Sequence, residues 1–200
     1  PLASGAAGAA YVSAVANGVS LGSATTGANG YYYILAPNGR FTGGDSILAY
    51  TSAATGATAA AAPATATGAA NQSRINIYGN AITETTSTTL LSAAPTLAQM
   101  QADATTAAGG NSSALAAISG ASGRGLVSTG ASFTFDQPLT TSSSFIIATA
   151  ANAPLTVASP IEIDGGGSLG LLASGALAIN APVTVTGAGS VALQAANDTT

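Results

Sequence analysis

The chain has 200 residues and a formal net charge of −4, with 47% hydrophobic and only 5% charged residues. Its basic residues are Arg40, Arg74 and Arg124, and His, Lys and Cys are absent. This excludes triad catalysis through His or Cys, zinc sites built from those residues, and a basic nucleic-acid-binding stripe. No run of roughly 18 apolar residues occurs, so we expect no membrane span. High hydrophobicity with low charge is atypical of disorder, so we expect a folded chain.

Residues 1–94 are predicted to form a small antiparallel β-rich module. The Asn17-Gly18 pair is a tight-turn signal between two short strands. Runs of β-branched and aromatic residues predict further strands over 31–35, 47–50, 75–78 and 83–91. The alanine-rich run at 57–70 is predicted to be a floppy loop within this module.

Several tyrosines lie in the module, and two interpretations of them stay open. Exposed tyrosines stack on sugar rings and make contacts at low entropic cost, so Tyr31 and Tyr33 are candidate surface contacts. The alternative is that alternate tyrosines fill the core and the others cover the surface. The tyrosines concerned are Tyr31, Tyr32, Tyr33, Tyr50 and Tyr78.

Residues 95–124 are predicted to form a short helical hairpin or cap that lies against the side of the repeat that follows. Thr96 and Gln99 match a capping box at the start of a first helix. Ser113 is the predicted cap of a second helix, which ends at Gly120. The alternative is a partly ordered alanine-rich linker.

Residues 125–200 carry a 22-residue repeat. Three windows, each shifted by 22 residues, align without a gap. Apolar side chains alternate within each window, which is the period of a strand. The aligned columns are Phe133, Leu155 and Leu177; Phe135, Val157 and Ile179; Pro138, Pro160 and Pro182; Leu139, Ile161 and Val183; and Ile147, Leu169 and Val191. Each unit is therefore predicted to contain about three short strands joined by corners.

A fixed step along a chain indicates a fixed step in space. If each unit coils once and returns above its start, every strand pairs in parallel with its copy in the next unit, about 4.8 Å away. The predicted fold is therefore all-β: a right-handed parallel β-helix of 22-residue rungs that continues beyond the fragment, preceded by the antiparallel module and the helical insertion. The alternative is a set of antiparallel hairpins, which does not require a constant period.

Few residues of the repeat could carry chemistry. Glu162 and Asp164 lie two apart on one strand and could share a Ca²⁺, but calcium takes about six to eight oxygen ligands and no other carboxylate is near in sequence. A pair of glycosidase carboxylates, drawn from these and Asp136, is an alternative. The threonine columns that ice binding would need are interrupted at Ala178 and Glu162. We therefore expect no enzyme activity, no metal site and no cofactor.

The stretch LTVASPIEIDGGGSLGLLASGALAINAPVTVTGAGSVALQA resembles the rungs of the filamentous-haemagglutinin-like large exoproteins of Gram-negative bacteria, which are two-partner-secretion adhesins. Those rungs read L-x-I-x-A-P-I-x-V-x-G-x-G-x-V-x-L-x-A. The stretch GVSLGSATTGANGYYYILAPNGRF is similar to segments of the same exoproteins. The resemblance covers residues 126–198 and, more loosely, 11–95. It implies a right-handed β-helix, export through an outer-membrane transporter, and a role in adhesion or biofilm. It transfers no catalytic residue, and the family's secretion motif is not found.

The sequence is interpreted as a segment of a secreted, cell-surface structural or adhesive exoprotein. Its partners would be host or cell-surface glycans or proteins, or like subunits. The alternative is a subunit of an extracellular filament or sheath that assembles through exposed β-sheet edges, and a glycan-active enzyme is the third interpretation. Because the chain opens on Pro1 without a secretory signal, and an uncapped solenoid exposes a sheet edge, we expect one piece of a longer protein.

Overall fold

The structure is a computed structural model that describes residues 9–28, 30–51, 58–69, 72–73, 75–91, 93–150 and 152–196. These residues are mostly β, with two short helices and mixed sheets that include a long parallel sheet. They form two compact units. Unit 1 contains the described residues up to Glu84 and Leu97–Ser122, and unit 2 contains Thr85–Thr96 and the described residues from Gly123 onward. The predicted boundaries at 94 and 124 therefore shift, because 85–96 belongs with the repeat and the helices belong with the first module.

Unit 1 is built on a mixed sheet. Its strands are β1 (Tyr11–Ala16), β2 (Val19–Thr25), β3 (Ser46–Thr51), β4 (Ala60–Thr65) and β5 (Ala81–Thr86), whose end belongs to unit 2. Their spatial order is β2-β1-β3-β4-β5. Neighbours are antiparallel except β4 and β5, which are parallel where Ala61 pairs with Ile82. Asn17 and Gly18, with φ of 46° and 81°, form the predicted tight turn between β1 and β2.

Two helices of unit 1 lie in sequence between segment 85–96 and the repeat. They are α1 (Leu97–Ala108) and α2 (Ser112–Gly120), so a helical hairpin does form in the predicted region. The cap of α2 is Asn111 and not the predicted Ser113, because the Asn111 side chain accepts a 3.0 Å hydrogen bond from the backbone N–H of Ala114. An amide oxygen two residues earlier thus binds the first free N–H groups of the helix.

The helices pack on the sheet of unit 1, whereas the sequence predicts the repeat as their partner. The shared core contains Val15, Leu48, Tyr50, Ala61 and Ile82 from the sheet, and Met100, Ala104, Ala107, Ala108, Ala114, Ala117 and Ile118 from the helices. Alanines on both layers allow a close approach: a Cβ added at Gly120 would lie 2.9 Å from the Cβ of Ala59. The apolar stripe of each helix is therefore buried within unit 1.

The alanine-rich run at 57–70 contains a buried strand and not the predicted floppy loop. β4 pairs with β3 along its length, and Ala60 and Ala61 are fully buried. Alanine has a low intrinsic preference for strands, but its small side chain fits beneath closely packed helices. Pro63 lacks an N–H, and it is tolerated because the pairing with β5 is made at Ala61.

Residues 31–35 and 75–78 are extended or irregular, whereas the sequence predicts strands. The first of these segments crosses the sheet face opposite the helices, where Ile34 and Ala36 pack on a cluster that includes Leu21. A segment that lies across a sheet face has no neighbouring strand for its backbone, so no ladder forms. This position also decides which of its side chains reach solvent.

Unit 2 consists of short strands in three parallel sheets. The strands are β6 (Leu90–Leu91), β7 (Gly123–Ser128), β8 (Phe133–Phe135), β9 (Leu139–Thr141), β10 (Phe145–Thr149), β11 (Leu155–Val157), β12 (Ile161–Ile163), β13 (Leu169–Leu172), β14 (Leu177–Ile179), β15 (Val183–Val185) and β16 (Val191–Gln194). Within unit 2 the sheet orders are β7-β10-β13-β16, β6-β8-β11-β14 and β9-β12-β15. One core cluster contains side chains from all three sheets.

The register in two of these sheets follows the columns of the repeat. Leu155 pairs with Phe133 and Leu177, and Val157 pairs with Phe135 and Ile179. In the β9-β12-β15 sheet, Ile161 pairs with Leu139 on one side and with Val183 on the other. The proline column precedes that sheet. The carbonyls of Pro160 and Pro182 accept 3.0 Å bonds from the N–H groups of Leu139 and Ile161, so the prolines join successive units without a donor of their own.

One predicted column is wrong. The repeat aligns Ile147 with Leu169, whereas the structure pairs Leu169 with Phe145 and Val191, and Ile147 with Leu171. The connection 142–144 is two residues shorter than 164–168, and the step from β10 to β13 is correspondingly longer. The next connection restores the 22-residue step, since Leu155 again pairs with Leu177. The change preserves the inward or outward parity of every side chain.

Candidate functional site

The outward side chains of unit 2 are mostly uncharged, with a few scattered acids. Thr140, Glu162 and Thr184 are exposed and in register on β9, β12 and β15. Asp164 is exposed at the following corner, and the half-buried Asp136 accepts a 3.3 Å bond from its neighbour Gln137. Within the described ranges, no three potential metal ligands of the His, Cys, Asp or Glu type come together. The structure thus does not bring these acids into one cluster.

The candidate site in unit 1 is an outward row formed by Tyr31, Tyr33 and Leu35, which are 67%, 82% and 93% exposed. The residues between them point the other way, since Ile34 and Ala36 pack against the sheet. Exposure therefore alternates along the segment as it would along a strand. Large side chains so exposed, on consecutive outward positions, are typical of an interaction surface.

The inward residues fix this segment on the sheet. The Tyr32 hydroxyl donates a 2.6 Å hydrogen bond to the Ile75 carbonyl, and burial raises the pKa of Tyr32 to about 12. On the sheet that the segment crosses, Gly22 of β2 has φ of +129°, and a Cβ added there would lie 3.4 Å from Cγ2 of Ile34. Glycine is thus favoured by the backbone conformation, whereas the distance to Ile34 is an ordinary van der Waals contact.

The other tyrosines are at least partly buried. Tyr50 is buried in the core beneath the helices, and Tyr78 is half-buried, which raises its pKa. The core interpretation therefore describes Tyr50, and the contact role of Tyr31 and Tyr33 stays a prediction. The sequence indicates that tyrosines alternate between core and surface, but the outward position of Leu35 is missed, because the strand pattern alone does not say which parity faces the sheet.

A pair of acids in unit 1 is also missed by the sequence. Glu84 lies on β5 with its Oε1 buried and without a hydrogen-bond partner among the described residues. Burial, and secondarily the charge of Asp103 on α1, raise the pKa of Glu84. No sequence signal links these two residues, because their electrostatic interaction depends on how α1 packs on the sheet. Two acids alone do not supply the ligands that a cation requires.

Arg124 has a structural role in unit 2. It is buried on β7, its Nη1 donates a 2.8 Å bond to the Pro95 carbonyl, and its Cζ lies 4.8 Å from the ring centroid of Phe145. Burial lowers the pKa of Arg124. Segment 85–96 is held by further bonds to the stack, and its Leu91 and Ala94 pack on the core. Arg124 therefore joins segment 85–96 to strands β7 and β10 at the start of the repeat.

Asp45 stabilises the connection before β3. Its carboxylate accepts a 2.6 Å bond from the backbone N–H of Thr42 and a 2.9 Å bond from the Asn17 side chain. These two bonds, in that order, lower the pKa of Asp45. The contact joins the β1–β2 turn to the loop that leads into β3.

No protein-family model matches the chain, and no curated protein or solved structure shows significant similarity to it. Neither helix in the described part of the chain is long and apolar enough to cross a bilayer. A functional proposal therefore depends on the geometry of the two units and on the pattern of the repeat.

Proposed function

We propose that unit 2 is a right-handed parallel β-helix and that the chain is a segment of a secreted, cell-surface exoprotein that mediates adhesion or builds a matrix. The observation that carries the proposal is the parallel pairing of Phe133, Leu155 and Leu177 at steps of 22 residues. The hand follows from a general rule: about 98% of connections between parallel strands of one sheet are right-handed.

The contacts between neighbouring turns of unit 2 and the composition of its outer surface both support a structural role. A stack whose contacts are made between neighbouring turns can be exported unfolded and then fold turn by turn. The outward columns carry Thr, Ala and a single Glu, and the resemblance of the repeat to exported adhesins points the same way. On this proposal the partners are an outer-membrane transporter during export, and host or cell-surface glycans or proteins afterwards.

Adhesion can be tested with beads coated with the purified chain. We expect the beads to be retained on cultured epithelial layers more strongly than beads coated with a Leu155→Asp variant, whose buried charge disrupts the stack. A matched control is Thr156→Asp, which places the same charge at the adjacent half-buried outward position. Equal retention of all three would contradict adhesion by the folded stack.

The hand of the coil requires a separate experiment. An experimental structure of the chain should show the path from β8 through β9 and β10 to β11 turning right-handedly. A left-handed path, or antiparallel neighbours among these strands, would remove the basis of the proposal whatever the bead assay gives.

A second candidate is a subunit of an extracellular filament or sheath that assembles through sheet edges. The observation that favours it is the edge of the β9-β12-β15 sheet at β9, which pairs with β12 alone among the described strands. Electron microscopy of the purified chain would show regular fibres, and Thr140→Pro on β9 would abolish them because proline has no N–H for a further strand to pair with. Dispersed particles at high concentration would exclude this candidate.

A further inference from the structure

The segment 32–36 is extended and pairs with no strand among the described residues. None of its backbone N–H or C=O groups forms a hydrogen bond to a described residue. Within the part of the chain that the structure describes, its polar anchor is the side chain of Tyr32, which donates to Ile75. An extended backbone with free donors and acceptors is a template for another strand. The outward row is therefore the side-chain surface of a segment whose backbone can also bind.

The segment is held in the conformation that pairing requires. Ile34 and Ala36 pack on the sheet, and the Tyr32 hydroxyl donates to the Ile75 carbonyl. Little conformational entropy is lost when a segment already fixed in this way gains a partner strand. This pre-organisation distinguishes it from an irregular surface loop that carries the same residues.

The local sequence lacks the devices that normally protect a strand edge. Between Gly30 and Pro37 it reads Tyr-Tyr-Tyr-Ile-Leu-Ala, with strong β propensity, no charge and no internal proline. Natural edge strands are usually blocked by charges, above all lysine, and the first charged residue that follows is Arg40. A second copy therefore meets no like-charge repulsion along this segment.

We propose that two copies of the chain associate by antiparallel pairing of this segment with itself, centred on Tyr33. In that register Tyr33 lies opposite Tyr33 of the second copy, and Tyr31 lies opposite Leu35. Aromatic–aromatic and aromatic–aliphatic pairs of this kind are favourable cross-strand pairs. The pairing is isologous, since the same surface serves both copies.

The association is weak. One short strand pair covers much less than the roughly 1,200–2,000 Å² of a stable specific interface. The dimer is therefore expected to form only as concentration rises. The inference concerns unit 1 alone, so it stands or falls independently of the β-helix proposed for unit 2.

The absence of cysteine from the chain makes the register testable by cross-linking. Directly opposed antiparallel residues have Cα atoms about 4.5–5.5 Å apart, within the range that a disulfide spans. Under mild oxidation Tyr33→Cys should give a linked dimer at least tenfold faster than Val19→Cys, a control at another exposed position of unit 1. Mixed Tyr31→Cys and Leu35→Cys chains should cross-link with each other faster than either does with itself.

Analytical ultracentrifugation of the cysteine-free chain provides the second measurement. We expect the weight-average mass to rise with concentration, and to stay at the monomer value for Tyr33→Lys, whose folding is checked by circular dichroism. The inference is overturned if the wild type remains monomeric, if Tyr33→Lys associates equally, or if Tyr33→Cys links no faster than the control. Binding of neutral oligosaccharides to a wild type that stays monomeric would assign the outward row to glycans instead.

Discussion

Replacing Leu155 by alanine tests the packing of the three-sheet core. Leu155 is 0% exposed and lies in register between Phe133 and Leu177 on the adjoining strands. Both neighbours lie on flanking strands of the same sheet and are held by backbone pairing, so the space left by the lost methyl groups cannot close fully. Buried Leu→Ala changes cost about 2–5 kcal/mol, and a cost near the middle of that range is expected where the site collapses only in part.

We expect a loss of about 3 kcal/mol in the free energy of unfolding. For a domain of the size of unit 2, each kcal/mol lowers Tm by about 4–8 °C, so the Tm of unit 2 should fall by roughly 12–24 °C. Urea unfolding followed by circular dichroism measures the first quantity, and calorimetry the second. Amide hydrogen exchange should show lost protection in β8, β11 and β14 before any loss in unit 1.

The matched control is Leu193→Ala, the same change at a residue that is 56% exposed. Its expected cost is below about 1 kcal/mol, because most of the side chain already contacts water. Equal costs for the two variants, or a Leu155→Ala protein as stable as the wild type, would refute the assignment of Leu155 to a packed interior column.

Three further predictions concern unit 1. Burial raises the pKa of Glu84, so its contribution to stability is lost as pH rises from the usual glutamate value through the raised pKa. In urea titrations at pH 7, Glu84→Gln should therefore be more stable than wild type. A gain in stability that persists at pH 4 would contradict this. Hydrogen bonds lower the pKa of Asp45, so its contribution to stability is present above the usual aspartate value and is lost as pH falls through the lowered pKa. Urea titrations should show Asp45→Asn less stable than wild type at pH 7, and the difference in unfolding free energy should vanish in acid. Gly18→Ala would place a Cβ 2.2 Å from the Gly109 carbonyl oxygen, whereas Gly39 has a similar φ of +75° and open space around it. In urea unfolding, Gly39→Ala should lower the free energy of unfolding by about 1 kcal/mol, and Gly18→Ala should lower it clearly more. Equal losses for the two variants would exclude the clash.

The repeat predicts much of the pairing in unit 2. A constant step of 22 residues and alternating side chains imply that Leu155 lies between Phe133 and Leu177. This inference is robust because parity and period are local properties of the chain. The error at Ile147 arises at a corner, where the connection changes length without changing parity, and a gapless alignment cannot detect such a change.

In unit 1 the local patterns mislead where long-range packing decides. Residues 31–35 have the composition of a strand but lie across a sheet face. Residues 60–65 have the composition of a loop but form a strand between β3 and β5. Each outcome depends on elements distant in sequence: the sheet face that receives Ile34, and the helices that cover Ala61. Propensities of single residues are too small to oppose such burial.

The amino-acid sequence by itself determines that these 200 residues contain no His, Lys or Cys. It also determines the Asn17-Gly18 turn, the helical region and the step of the repeat, because each depends on residue type or on near neighbours. Only the tertiary structure decides that the helices cover the first sheet, that Glu84 approaches Asp103, and that Tyr31, Tyr33 and Leu35 face solvent. Those features depend on which apolar faces meet, and many pairings of faces are compatible with the same local pattern.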